Sequence, residues 1–195
     1  MFGSAVLLAT QVAYSQAVPV PAPNVELAVT YTAERANSVP STCGCFWLQG
    51  GSMELGAEVY HGLGFAFNVT GTHTNSVPGS GTGLGLLTTT VGPRYRHALA
   101  PRSNGLAGKT SLFAEGLVGE AHAFNGLFPA PGGALVSSLS FASQLGGGID
   151  VRVSRHFAAR VIEASWVRMQ LPNAAANVQN NMRLGAGIVY RFSGR

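Results

Sequence analysis

The chain has 195 residues, room for one domain with a short appendage. Only 10% of them are charged and 26 are glycine, against about 25% charged in an ordinary soluble domain. The formal charge of +4 is weak and scattered, which argues against nucleic acid as a partner.

In chain order, Phe2 to Ala13 is apolar but too short to span a bilayer as a helix. Ser15-Gln16-Ala17 places small residues at the spacing of a leader-peptidase cut. Residues 1–17 therefore read as a secretory signal peptide with a truncated positive region. Prolines at 19, 21 and 23 make residues 18–24 an extended linker. From Val25 the sequence alternates with period two, as a strand with unlike faces does. Val25, Leu27, Val29 and Tyr31 oppose Glu26, Ala28, Thr30 and Thr32. A loop over 35–46 carries Cys43-Gly44-Cys45, whose spacing admits a strained loop disulfide in an oxidising compartment.

The second strand, Trp47 to Tyr60, sets Met53, Leu55, Ala57 and Val59 against Glu54, Gly56 and Glu58. His61-Gly62 turns it into a third strand with Leu63, Phe65, Phe67 and Val69 on the apolar face. Matched arms around so short a turn mark a hairpin. After a loop over 74–83 comes a fourth strand, Leu84 to Arg96, with Arg94 and Arg96 on its polar face. A connection over 97–108 leads to the fifth, Lys109 to His122. There Glu115 shares parity with Phe113 and Leu117, so its facing stays open. The Gly/Pro-rich segment 123–138 reads as a loop. Strands six and seven occupy 139–169 around the turn Ser154-Arg155-His156. Phe141, Leu145 and Ile149 oppose Gln144, Gly146, Gly148, Asp150 and Arg152, and Ile162, Ala164 and Trp166 oppose Glu163 and Ser165. A loop over 170–180 precedes the last strand, Asn181 to Phe192.

All eight acidic residues fall in segments read as strands, while the long connections are almost uncharged. A soluble protein does the reverse, because buried carboxylates are costly unless paired. A barrel lumen can hold them against arginines. The expected fold is all-β: an eight-stranded antiparallel up-and-down transmembrane barrel over 25–192, with apolar side chains toward lipid and polar ones inside. Eight strands leave an interior just wide enough to be filled by side chains. A plugged lumen follows, with Glu54, Glu58, Arg94, Asp150, Arg152, Glu163, Arg183 and Arg191 as its charge network. Trp47, Tyr60, Tyr95, Trp166, Tyr190 and Phe192 fall near strand ends and form aromatic girdles. Facing decides the matter. Leu145, Ile149, Ile162, Trp166, Leu184 and Ile188 should point outward; if they converge on the axis, the chain is a soluble lipocalin-like ligand binder.

The last strand, Met182-Arg183-Leu184-Gly185-Ala186-Gly187-Ile188-Val189-Tyr190-Arg191-Phe192, ends on an aromatic. With Gly146-Gly147-Gly148-Ile149-Asp150 and Val91-Gly92-Pro93-Arg94-Tyr95, it makes the chain resemble the OmpA-like small outer-membrane barrel family over about residues 25–192. Ser193-Gly194-Arg195 form a C-terminal extension past the aromatic, a departure from the family's usual ending. The resemblance implies location in the outer membrane and contact with its lipid bilayer. It also implies contact with the outer-membrane assembly machinery through the last strand. The implied function is a monomeric, non-enzymatic scaffold that presents four extracellular loops to envelope or external partners. No cofactor, metal or catalytic set is expected. Ser52, His73 and Glu54 make only a nominal triad, and the glycine run 79–83 lacks the Lys of a phosphate loop. The alternative is a small barrel enzyme acting on lipid or peptide, which needs a convergent polar cluster at one rim.

Overall fold

The computed structural model describes residues 24–37, 45–100, 105–173 and 177–192. The signal peptide, almost all of the linker, Cys43 and the extension at 193–195 lie outside the described residues. Eight strands follow one another: β1 (Asn24–Asn37), β2 (Cys45–Tyr60), β3 (Leu63–Thr74), β4 (Leu84–Ala98), β5 (Thr110–Ala130), β6 (Gly133–Arg152), β7 (Phe157–Met169) and β8 (Gln179–Phe192). One helical turn, α1 (Leu106–Lys109), precedes β5. Each strand pairs antiparallel with the next, and β8 returns to β1, so the sheet closes and has no edge within the barrel.

The apolar parity faces out. Leu145 is 64% exposed and Ile188 60%, and Ile162, Trp166 and Leu184 are exposed beside them; Ile149 is half-buried. The charged parity faces in, with Glu34 and Asp150 fully buried. A lipocalin-like binder needs the opposite arrangement, so that alternative is overturned. An exterior of Val, Leu, Ile and Phe side chains is stable only against hydrocarbon. Aromatics gather near the two ends of this belt. Tyr60, Tyr95, Tyr190 and Phe192 are exposed at one end, with Phe157 against Tyr190 and His61, His97 and His156 in ring contact with the tyrosines. Trp47 and Trp166 are exposed toward the other.

Two of the three connections at the first end are short, and the third, over 99–109, carries α1. His61 and Gly62 both adopt positive φ, 46° and 85°, as a two-residue turn matching the twist of its strands requires. The Gly62 carbonyl accepts from the Arg96 amide at 2.7 Å. The 153–156 turn is closed by Val153 and Ser154 amides donating to the Phe157 carbonyl.

At the far end the structure corrects the sequence reading. Residues 123–138 are not a loop. β5 runs on to Ala130 and β6 starts at Gly133, paired down to Ala130↔Gly133 across a two-residue turn. Glycine and proline made this segment look irregular, yet Pro129 is harmless here. The ladder from β5 to β4 ends at the Gly85↔Phe124 pair, so Pro129 sits on a free edge where no N–H is wanted. The result is a hairpin that projects beyond the barrel, since about 9–11 residues suffice to cross a membrane and these strands have 21 and 20.

Leu145→Arg, outward on β6, should destabilise the inserted barrel by about 2–4 kcal/mol. Leu135→Arg on the projecting hairpin should change it by less than about 0.5 kcal/mol. Urea titrations of barrels refolded into phospholipid vesicles measure both.

Candidate functional site: the charged lumen

Period-two alternation around a closed ring sends one side chain in two toward the axis, and on this chain those side chains include nearly every acidic residue. Arg160 lies at the centre, 1% exposed. Its Nη1 meets Glu54 Oε1 at 3.0 Å and Glu163 Oε2 at 2.8 Å, and its Nε donates to Asp150 Oδ1 at 3.0 Å. Arg94 Nη1 bridges Glu26 and Glu54 at 3.0 and 2.9 Å. Arg96 forks between Glu26 and Asp150. Both central guanidiniums lie over the Phe113 ring, Arg94 at 4.3 Å and Arg160 at 4.1 Å from its centroid, within cation–π range. Inward glycines make the room. A Cβ on Gly56 would come within 2.7 Å of Arg94 Nη1, and one on Gly148 within 2.7 Å of the Phe113 ring.

A second tier sits above the first. Arg183 grips Glu34 through Nε and Nη2 at 3.0 and 2.9 Å, and reaches Gln144, Thr70 and Thr88. Gln144 joins the tiers, accepting from Arg183 and donating to Glu115 Oε1 at 3.1 Å. Above these polar tiers comes an apolar layer of Leu48, Leu86, Val167 and Met169, all buried. Below them a vestibule of about 360 Å³ opens at the short-turn end, lined by Arg96, Arg152, Arg155, Arg191, Glu26 and Glu58 among others.

Of the residues expected to form the network, Glu54, Arg94, Asp150, Glu163 and Arg183 come together in the lumen. Arg191 reaches it from the lower edge, 3.5 Å from Glu26. Two stand apart and correct the sequence reading. Glu58 caps the β2–β3 turn by accepting from the Gly62 amide at 2.9 Å, and Arg152 is exposed, 3.5 Å from the Gly108 carbonyl. Both lie at strand ends, where the lumen opens to water and nothing obliges a charge to pair.

Sequence reasoning missed Glu26, Glu34, Arg96 and Arg160 as members, and left Glu115 open. Strict alternation from Glu163 puts residue 160 outside. A bulge changes that: β8 pairs Arg160 with Gly187 and Glu163 with Gly185, so β7 has two residues, 161 and 162, against one. Val161 and Ile162 both face out, and Arg160 and Glu163 both face in. Glu115 is inward with Phe113 and Leu117. The polar parity of β1 and β4 was the available signal for Glu26, Glu34 and Arg96.

Carboxylate oxygens of Glu54, Glu115 and Glu163 lie within 4.8 Å of one another. Arg160 already supplies the positive charge between Glu54 and Glu163, so the cluster is explained without a metal ion. Ser52 and His73 do not converge with Glu54 on a reactive centre. Ser52 is buried inward against Thr30 at 2.6 Å, while His73 is exposed on the outer face.

No family model matches the chain, and no curated protein matches it. Solved structures do. Neisserial surface protein A aligns with a TM-score of 0.64 at 15% identity, over 86% of this chain and 97% of its own. Ail, the attachment invasion locus protein of Yersinia pestis, crystallised with a heparin analogue, aligns at 0.56 and 17%, over 88% and 99%. These likenesses and the apolar belt agree: the chain is an eight-stranded β-barrel of the outer-membrane type.

Arg160→Leu should cost about 3–5 kcal/mol, because it removes the partner shared by three buried carboxylates and leaves Glu163 with no other salt bridge among the described residues. Arg152→Ala should stay within about 0.5 kcal/mol. Equilibrium unfolding in vesicles separates the two.

Proposed function

We propose that this outer-membrane barrel is a non-enzymatic, plugged scaffold that anchors its long-connection end at the cell surface. The carrying observation is the charged fill of the middle lumen, between the vestibule below and the apolar-walled space above. Salt bridges cross it from Glu26 and Arg96 up to Glu34 and Arg183. Such a barrel offers ions no water column, so its chemistry with the outside belongs to its exposed parts. The short turns belong on the periplasmic side, as in barrels of this kind. That leaves the β5–β6 hairpin and the connections beside it outside.

The hairpin has features of a docking element. From Ala123 to Ile149 the sequence has no Asp, Glu, Lys or Arg. Leu127, Leu135, Val136 and Leu139 are exposed. Above Phe124 on β5 and Ala142 on β6 no neighbouring strand pairs with it. Free backbone N–H and C=O groups on such edges are a template for an added strand. The partner class this suits is an extended, uncharged segment.

The alternative of a barrel enzyme draws no support from Ser52, His73 and Glu54, which lie on opposite faces of the wall. Planar-bilayer recording tests the scaffold reading. The native barrel should show little or no steady conductance. Glu54→Ala and Arg183→Ala should leak, because an unpaired buried charge recruits water. A large, stable native conductance would replace the scaffold with a conduit.

A further inference from the structure

We propose that the upper lumen is a binding site for a small, uncharged, apolar molecule bearing one hydrogen-bond donor. Above the Arg183 tier the walls turn apolar. Phe46, Leu48, Leu86, Phe128 and Met169 line a cavity of about 390 Å³, with Val77 and Leu171 from the connections closing over it. That volume lies in the range of small-molecule sites, roughly 300–1,000 Å³. The layer is not needed as a void to seal the barrel, because the charge network beneath already fills the lumen. An empty apolar space forfeits contacts that a closer-packed layer would make. Apolar cavities exclude water and take up apolar molecules.

The lining also specifies the ligand's polarity. Among the described residues that line the cavity, none is ionisable, so an ion would find no counter-charge. Its polar residues are not equivalent. Gln179 is committed at both ends of its amide, to the Leu171 N–H at 2.9 Å and the Leu171 carbonyl at 3.0 Å, and holds that residue over the cavity. Asn181, in the cavity wall, is different. Its Nδ2 donates to Glu34 Oε1 at 2.6 Å. An ionised carboxylate only accepts, so this contact fixes which way the amide is turned. Asn181 Oδ1 is left buried with no hydrogen-bond partner among the described residues. A buried acceptor without a donor is costly; Oδ1 is sealed from solvent and cavity alike, so a hydroxyl or N–H on an otherwise apolar ligand satisfies it through a shift of the Asn181 side chain toward the cavity.

The test uses the full chain refolded into phosphatidylcholine nanodiscs, with naphthol and naphthalene as probes and empty discs subtracted. Calorimetry should find one saturable site per barrel for naphthol, about three- to tenfold tighter than for naphthalene, the difference one hydrogen bond makes. Val77→Trp places an indole in the cavity from the covering connection. It should weaken naphthol binding about tenfold or more while leaving heat-modifiable gel mobility unchanged. Asn181→Leu should level the two probes. If that variant fails to refold because Glu34 loses a partner, the probe ratio and Val77→Trp decide. Uptake no greater than by empty discs, or uptake that Val77→Trp leaves intact, overturns the site. Equal affinity for the two probes overturns its donor requirement.

Discussion

The Arg160 guanidinium binds carboxylates from three strands: Glu54 on β2, Asp150 on β6 and Glu163 on its own β7. In order around the ring, β2 and β7 are separated by β8 and β1. The contact to Glu54 therefore spans the lumen and ties facing walls together. Only arginine suits this position, because its planar fork offers several donors at once and stays charged when buried. The arrangement rests on the β7 bulge. Without the extra residue at 161–162, Arg160 would point into lipid and the three carboxylates would lack their common partner.

The same alternation explains the layering of the interior. Charges occupy the middle, where pairing partners exist on every side. Arginines dominate the lower mouth, where water reaches them. Apolar residues occupy the top, where β2, β4, β6 and β7 carry Leu48, Leu86, Ala142 and Met169 on the inward parity. Thr30, Ser52, Thr70 and Thr88 fill the remaining inward positions with hydroxyls that bond to one another or to Arg183. Backbone satisfaction comes from ring closure, and the cross-lumen pairs satisfy much of the buried side-chain polarity, while atoms such as Glu115 Oε2, Arg160 Nη2 and Ser165 Oγ are left without a partner among the described residues.

Much of this was legible in the residue order. Strand number, the His61-Gly62 turn, the outward facing of Leu145 and Ile188, and the central charges Glu54, Arg94, Asp150, Glu163 and Arg183 all follow from period two. What failed did so for local reasons. A bulge shifts parity without any mark in the sequence, since Val161 and Ile162 suit a lipid-facing surface equally well. That hid Arg160. Parity cannot say where a strand leaves the membrane, so Glu58 and Arg152 were assigned to an interior they only border. Glycine and proline mark irregular chain in most settings, but on the free edges of a projecting hairpin they impose little cost. That hid the upper halves of β5 and β6. The cavity at the top was also unreadable, because its walls combine loop residues with strand residues of ordinary inward parity.

The hairpin also has a kinetic meaning. Ala130 pairs with Gly133 across two residues, whereas the seam that closes the ring pairs Val25 with Phe192. Local contacts form in microseconds and distant ones wait on chain search. β5 and β6 therefore pair early and β1 with β8 late. Throughout that interval the projecting part of the hairpin, from Asn125 to Ser140, has both edges open, with no gatekeeping charge along its length. Open strand edges are an aggregation hazard for as long as the ring stays unclosed, whatever the stability of the finished barrel.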